Sequence, residues 1–460
     1  MAGLSKVFET ARRSLFAQRD AMDVTSHNIA NAGTTGFTRQ RAELTTTTPL
    51  PDRVGLLGTG VEMSSVSRLR EKFIDTQYRN TNQSLNNASM QSRIFSQIEG
   101  LLNEPSDNAL QNMMQGFYKA WQTLASTPED TGARQVVLQS ARTLSNGINQ
   151  LYTGFTQLQN DLKEEAVAKV DTVNALARDI ASFNEKIMTA KNGNLSANDL
   201  MDSRDLKIDE LSKLVNMRVS EDNQGALNVS VGGVSIVNQT DTISLELKDN
   251  GTTISINATG SSNSSQIING ELGGILKQYN TVLPAYKGSI DTMSQSIMDG
   301  VNAVHQTGYG LKTQATDPTA PTGTLFFTSY GNGVLTVNPD IVDNLNLIAA
   351  STDGSAGNNK TAIQIANLFD TPTMSGGTIS VHQYYNAFAS RIGTESADAA
   401  RDEQSQTLIL TQVEGQRNSF SGVSLDEEMT NMIKFQRAYD ASAKLIKTVD
   451  DMMNSIIALR

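Results

Sequence analysis

The chain has 460 residues and no cysteine, and its 48 acidic and 37 basic side chains leave a formal net charge of −11. The absence of cysteine excludes disulfides, thiolate metal sites and a cysteine nucleophile, and the acidic balance argues against nucleic acid as the main partner. A chain of this length should hold about two to four domains with sizeable cores. It has no apolar run of about eighteen residues, so we expect no membrane span.

The first thirty residues predict an amphipathic helix about 40 Å long. One heptad stripe carries its larger apolar side chains, and we expect that stripe to form an assembly interface. The stripe consists of Leu4, Phe8, Leu15, Met22 and Ile29, with Ala11 between them. Gly33 is expected to be the left-handed residue that closes the helix. Asn28, Asn31, Gly36 and Phe37 should then shape the chain's exit from it.

The segment after this helix is rich in Thr, Pro and Gly, which predicts an extended connector over residues 41–75. Apolar residues then recur at spacings of three and four, with Trp121 on one such stripe as a core residue. Residues 76–215, 271–309 and 378–420 are therefore predicted to form a long helical bundle domain. Thr127 is expected to cap its longest helix, with Pro128 in the first turn.

The period changes in the middle of the chain. Alternating apolar residues over 216–270 predict a small β domain inserted in the bundle, and Asn250-Gly251 is a strong hairpin signal within it. Residues 310–377 predict a mixed β and loop region. The expected fold class is thus mainly α with inserted β.

The residues that carry enzyme chemistry do not form a convincing site. The three histidines (His27, His305 and His382) are isolated in sequence, and we expect them to lie on the surface or in packing. Four aspartates recur at spacings of three or four residues, at Asp199, Asp202, Asp205 and Asp209. They lack the calcium-loop pattern, so we interpret them as acids that favour a helix start. We expect no catalytic residue, cofactor or metal ion, and no enzyme.

The last thirty-five residues predict a second helix with a strict three-four alternation, typical of a coiled-coil seam. Its expected assembly residues are Phe435, Tyr439, Ile446, Val449 and Met453. We expect residues 1–40 and 421–460 to pair as a terminal helical coiled-coil domain. The basic first segment and the acidic run Asp426-Glu427-Glu428 favour that pairing. The alternative is that each stripe packs on its own domain.

Both ends carry recognisable motifs. Asn28-Ile29-Ala30-Asn31 with Gly36-Phe37 and Arg39 resembles the amino-terminal signature of the bacterial flagellar rod, hook and hook-associated proteins. The stretch from Phe435 to Lys444, with Gln436, Ala438 and Ala441, resembles their carboxy-terminal signature. Within that family, Gly58-Thr59-Gly60-Val61 and the run from Asn198 to Asp205 are similar to segments of the hook-associated junction proteins.

The resemblance implies a structural subunit of the bacterial flagellum that joins hook to filament and assembles through its terminal helices. It implies a homo-oligomer in a ring or helical layer, with hook protein and a second hook-associated junction protein as neighbours. It also implies secretion by the flagellar type III route, helped by a cytoplasmic export chaperone on the carboxy-terminal helix, to an extracellular hook–filament junction. Another axial protein, such as hook or distal rod subunit, is the alternative, and a secreted hydrolase or glycan-binding protein is a more remote one.

Overall fold

The structure, a computed structural model, describes residues 2–52, 55–104, 106, 109–222, 224–312, 319–331 and 333–458. It is mainly helical with small inserted sheets, which confirms the predicted fold class. The helices are α1 Ala2–Ala30, α2 Lys72–Leu102, α3 Leu110–Ser126, α4 Thr131–Asn192, α5 Asn198–Leu214, α6 Gly270–Lys277, α7 Leu283–His305, α8 Pro339–Asp343, α9 Lys360–Asn367, α10 Val381–Ser421 and α11 Leu425–Ala458. A π-helical turn, Gln278–Val282, joins α6 to α7 without a break.

The segment predicted as an extended connector is a β-hairpin instead. Its strands are β1 Gln40–Thr46, β2 Leu50–Asp52, β3 Gly55–Leu57 and β4 Val61–Arg68. β1 pairs antiparallel with β4, and β2 with β3. Threonine in β1 and valine in β4 supply β propensity here, and this outweighs the turn signals of the glycines and prolines. The hairpin lies along α1, so it belongs structurally to the chain termini.

The helical bundle is built around α4, whose 62 residues span about 93 Å at 1.5 Å per residue. α2, α3, α5 and α7 pack against parts of its length, and α10 packs along α2. The predicted cap of α4 is wrong by three residues, because Asp130 caps the helix by accepting a hydrogen bond from the Gly132 amide at 2.8 Å. Thr127 instead ends α3.

Strands occupy the range predicted to be an inserted β domain. They are β5 Met217–Glu221, β6 Leu227–Val231, β7 Val234–Asn238, β8 Asp241–Thr242, β9 Leu245–Asp249 and β10 Ile254–Ala258. The first four form one sheet, and Asn250-Gly251 lies in the turn that joins β9 to β10. Asn174 and Asn184 of α4 bond to the main chain of Leu245 and Leu227, and apolar side chains of both parts share one core. The insert is therefore packed onto the bundle.

Short elements follow α7 within the range predicted as mixed β and loop. They include β11 Phe327–Gly331 and β12 Val334–Val337, which pair antiparallel, and part of the range (residues 313–318 and 332) lies outside the described residues. Phe326 and His305 pack their rings on Trp121, which is fully buried as predicted. The division of the chain into domains stays a prediction.

Candidate assembly site at the joined termini

The two ends of the chain lie side by side as an antiparallel helix pair. The Ser14 and Ser442 hydroxyls are 2.8 Å apart, and the Asn28 amide donates to Glu428 Oε2 at 3.0 Å. Rising numbers on α1 therefore face falling numbers on α11. Each helix covers part of the other's surface, which neither helix could do alone.

The buried line of α1 differs from the predicted stripe. It follows small and polar residues, namely Ala11, Ala17, Ala21, Thr25 and Asn28. Leu4, Leu15, Met22 and Ile29 are only half-buried, and Phe8 is 38% exposed. Small side chains let α11 and the hairpin approach the α1 backbone closely, so the line with the least bulk turns inward. The predicted stripe is thus not the intrachain seam of α1, and its role between copies stays a prediction.

On α11 the predicted seam does face inward. Ser442 and Val449 are buried, and Phe435, Tyr439 and Ile446 are half-buried. Met453 is exposed because the antiparallel register places it near the amino-terminal end of α1. Among the carboxy-terminal signature residues, Ala438 is half-buried and its carbonyl accepts from Ser442 Oγ at 2.9 Å, whereas Gln436 and Ala441 face outward.

The outer faces of the pair remain uncovered. On α1 the exposed large apolar residues are Val7, Phe8 and Phe16, and on α11 they are Leu425, Met429, Ile433, Leu445, Met452, Met453, Ile456 and Ile457. An apolar surface of this extent on two adjacent helices indicates a protein–protein contact. This surface is called the outer terminal face below.

Asn28 is the polar centre of the amino-terminal signature. Its side chain is buried, donates to the Gln40 carbonyl at 2.7 Å and accepts from the Gln40 amide at 2.9 Å. The Asn28 side chain therefore pairs with both main-chain groups of Gln40, at the start of β1, as a neighbouring strand would. It also donates a hydrogen bond to Glu428 of α11. One amide joins the first helix, the hairpin and the last helix.

The remaining signature residues form the turn between α1 and β1. Asn31 Nδ2 donates to the His27 carbonyl at 3.0 Å, and the Phe37 ring meets the His27 ring edge-on at 5.3 Å. The predicted role of Gly33 is wrong, because the left-handed residue is Gly36, at φ +82°. A Cβ at Gly36 would make only ordinary contact with Leu206, at 3.4 Å, so the positive φ is what favours glycine there.

Arg39 carries the charge contact between the ends. Its guanidinium bonds to Glu428 at 2.7 Å and to Glu427 at 2.6 Å, and its amide donates to the Ser421 carbonyl at 3.0 Å. Glu428 is almost fully buried, so it depends on Arg39 and Asn28 for its stability. The sequence indicated this pairing through the acidic run at residues 426–428.

The predicted interpretation of the four aspartates is wrong for three of them. Asp202, Asp205 and Asp209 face arginines from distant parts of the chain, and only Asp199 lies in the first turn of α5. The charged groups that meet here form the aspartate–arginine cluster: Asp75, Asp202, Asp205, Asp209, Arg68, Arg70, Arg79 and Arg417. The carboxylates and guanidiniums balance one another, which explains how they can be buried together.

Arginine geometry sets the contacts in this cluster. Arg70 donates two hydrogen bonds of 2.8 Å to the Asp75 carboxylate and one of 2.9 Å to Asp205. Arg417 of α10 binds Asp209 at 2.6 Å while its guanidinium lies 4.4 Å from the centre of the Tyr78 ring. The cluster thus joins the hairpin, α2, α5 and α10 where the terminal pair meets the bundle.

Asp205 lies at the centre of the cluster. Burial by itself raises the pKa of its carboxyl, but the positive charges of Arg70, Arg68 and Arg79 outweigh burial and lower the pKa to about 2. Asp202 Oδ2 also accepts from the Thr38 amide at 2.9 Å. The turn after α1 is thereby fastened to α5.

The histidines have packing roles. His305 accepts a hydrogen bond from the Ala349 amide at 2.9 Å, and burial lowers its pKa to about 4. His382 packs against the Phe369 ring at 4.7 Å. Over the described ranges, no three His, Asp or Glu side chains are grouped as a metal ion requires. None of the helices described combines the length and the apolar composition that a membrane crossing needs.

Comparisons with known proteins identify the class. Residues 95–319 match the family model described as flagellar hook-associated protein FlgK helical domain. Residues 8–38 match flagella basal body rod protein, and residues 415–459 match flagellar basal body rod FlgEFG protein C-terminal. The paired ends therefore belong to an axial structural component of the bacterial flagellum.

Full-length relatives give the particular family. The chain is 30% identical to flagellar hook-associated protein 1 of Bacillus subtilis, over 98% of this chain and 97% of that one. It is 25% identical to the Escherichia coli protein of the same name, over 99% and 100%. The flagellar hook junction protein FlgK from Burkholderia pseudomallei shares the fold, with a TM-score of 0.63 at 15% identity over 76% of this chain and 100% of that one. This chain belongs to the flagellar hook-associated protein 1 family.

Proposed function

We propose that this protein joins the flagellar hook to the filament. Copies of the chain would form one short ring or helical layer, with hook protein on one side and a second hook-associated junction protein on the other. The names of the relatives support this role, and the chain aligns with them from end to end. The proposed hook–filament junction lies outside the cell, so the chain would leave the cytoplasm by the flagellar type III route.

The observation that carries the proposal is the outer terminal face. The bundle buries many of its large apolar side chains, Trp121 and Phe155 among them, whereas α11 buries one, Val449, and leaves a run of apolar residues in contact with water. Neighbouring copies would cover that run, which shares Phe8 with the predicted stripe at Leu4, Phe8, Leu15, Met22 and Ile29. Assembly then completes a core that one chain cannot complete alone.

The apolar seam of α11 also needs cover before export. An apolar helix face that is free in the cytoplasm promotes association. We infer that a dedicated export chaperone holds α11, including Phe435 and Ile446, until secretion. Chaperone and neighbouring subunits would use overlapping surfaces, so they would exclude each other.

Localisation tests the proposed function. A tagged copy is expressed in a strain that lacks the gene for this chain, and the tag is located on intact flagella by gold-labelled antibody. We expect restored filaments and one short labelled zone between hook and filament. Label along the hook, the rod or the whole filament would contradict the proposal.

A matched pair of variants tests the outer terminal face. Phe16→Ser with Leu445→Ser removes two exposed apolar side chains from the pair, and Leu195→Ser with Ile363→Ser removes two from outside it, in the α4–α5 loop and in α9. We expect the first pair to reduce the number of filaments and the second to leave it unchanged. Equal effects would show that the outer terminal face has no special role.

A further inference from the structure

The hairpin beside α1 ends in an exposed apolar tip. Leu50, Leu56 and Leu57 are 51%, 74% and 42% exposed, and they belong to the short β2–β3 ladder. Two-stranded ladders of this size are marginally stable when nothing packs on them. Three leucines in water on such a ladder indicate a surface that becomes covered. This surface is called the leucine tip.

The leucine tip lies toward the free ends of the terminal helices. The hairpin starts at Gln40 beside Asn28, and Gly60 approaches α1 so closely that a Cβ there would lie 3.3 Å from the Thr10 carbonyl oxygen. The ladder therefore runs along α1 toward its amino terminus, and the tip continues in that direction beyond Thr10.

The end of α11 reaches the same level of the molecule. In the register set by Ser14–Ser442 and Asn28–Glu428, Met452 stands opposite Leu4. Ile456 and Ile457 therefore extend past the start of α1, and they are 46% and 69% exposed. The leucine tip and this overhang are both exposed, so they do not cover each other within one chain.

We propose that the leucine tip of one copy docks on the α11 overhang of the adjacent copy. In a layer whose axis is parallel to α1, rotation about that axis keeps every feature at its own height, so two exposed surfaces at one level can meet in neighbouring subunits. Both surfaces are apolar and exposed. This inference rests on the proposed assembly into a ring or helical layer, and it names the contact that closes the layer.

The test compares two triple variants. Leu50→Ser, Leu56→Ser and Leu57→Ser together remove the leucine tip. Leu195→Ser, Ile268→Ser and Ile363→Ser remove three comparably exposed apolar side chains elsewhere. Because all six are exposed, both variants should unfold at the temperature of the unchanged chain. We expect about tenfold fewer filaments per cell with the tip variant and no change with the other.

Cross-linking identifies the partner surface, because the chain has no cysteine of its own. Copies with Leu56→Cys and copies with Ile457→Cys carry different tags and are produced together, and intact flagella are oxidised. We expect a disulfide-linked dimer with both tags, and none when Leu195→Cys replaces Leu56→Cys. Two results would overturn this inference alone, provided that the unchanged chain builds junctions. One is a normal number of filaments with the tip variant, and the other is oxidation that yields no mixed dimer. If the unchanged chain is not at the junction, the proposed function itself fails.

Discussion

Asn28 shows how one side chain can join three parts of a chain. Its amide bonds to both main-chain groups of Gln40 and to one oxygen of buried Glu428. Each of these buried groups thereby has a hydrogen-bond partner. Buried polar groups are costly when a partner is lost, because water cannot replace it. The three hydrogen bonds therefore explain why asparagine suits this signature position in this chain.

Replacing Asn28 with Ala should loosen the junction of α1, β1 and α11. We expect the free energy of local opening to fall by about 1–3 kcal/mol, since the Gln40 main chain and Glu428 lose partners. Hydrogen exchange of peptides that cover residues 31–46 measures it. Ser26→Ala, on an exposed position two residues earlier, is the control and should leave the exchange unchanged.

The Asp205 carboxyl should control stability in acid. Its folded-state pKa of about 2 lies below its ordinary value of 3.8, so its contribution is present above about pH 4 and is lost as pH falls toward 2. We expect a loss of about 2 kcal/mol over that interval. Denaturant unfolding between pH 5 and pH 2 measures it. Asp205→Asn should be less stable at pH 5 and should show a shallower fall below pH 4; a parallel fall would contradict this.

At the scale of elements, the α1–α11 pair depends on a seam that is only partly buried. Phe435→Asp with Ile446→Asp should separate the helices, because each charge would face an apolar surface at a cost of several kcal/mol. Circular dichroism should show reduced helix content, filaments should not form even when the variant is secreted, and chaperone binding in a purified pull-down should weaken. Lys434→Asp with Lys447→Asp alters exposed neighbours and should be much milder. Equal damage from the lysine pair would mean that the seam is assigned to the wrong face.

The aspartate–arginine cluster connects elements that the chain order keeps apart. Arg68 and Arg70 come from the hairpin side, Asp205 from α5 and Arg417 from α10. Charged groups held from several sides leave little freedom between the terminal pair and the bundle. The cluster thus fixes the terminal pair against α2, α5 and α10.

At the scale of the molecule, the isolated subunit should be stable in the middle and weak at its ends. The bundle shares one continuous core, whereas α11 buries only Glu428, Ser442 and Val449. Limited proteolysis followed by mass spectrometry should remove about forty residues from each end and leave a resistant fragment with α2 to α10. Uniform resistance along the monomer would show that the terminal pair is complete without neighbours.

The sequence by itself determined the features that depend on local periodicity. The two terminal helices, the long α4, the strands after Asn216 and the turn at Asn250-Gly251 were all readable, because side-chain period and turn chemistry act over a few residues. The motifs at Asn28 to Arg39 and Phe435 to Lys444 also indicated the flagellar axial proteins, without choosing the member. The inward direction of the α11 seam followed from its pattern.

Tertiary structure alone decided which groups meet across long separations. Asp205 and Arg70 are 135 residues apart, and no local rule links them, so the aspartates resembled helix-start acids. The buried line of α1 was decided by how closely α11 and the hairpin approach, which favours Ala17 and Ala21 over the bulkier stripe. Most of the segment predicted as a connector forms a hairpin up to Arg68, because α1 offers a surface for its strands. In each case the deciding energy comes from packing or charge pairing between distant segments, which a local pattern cannot contain.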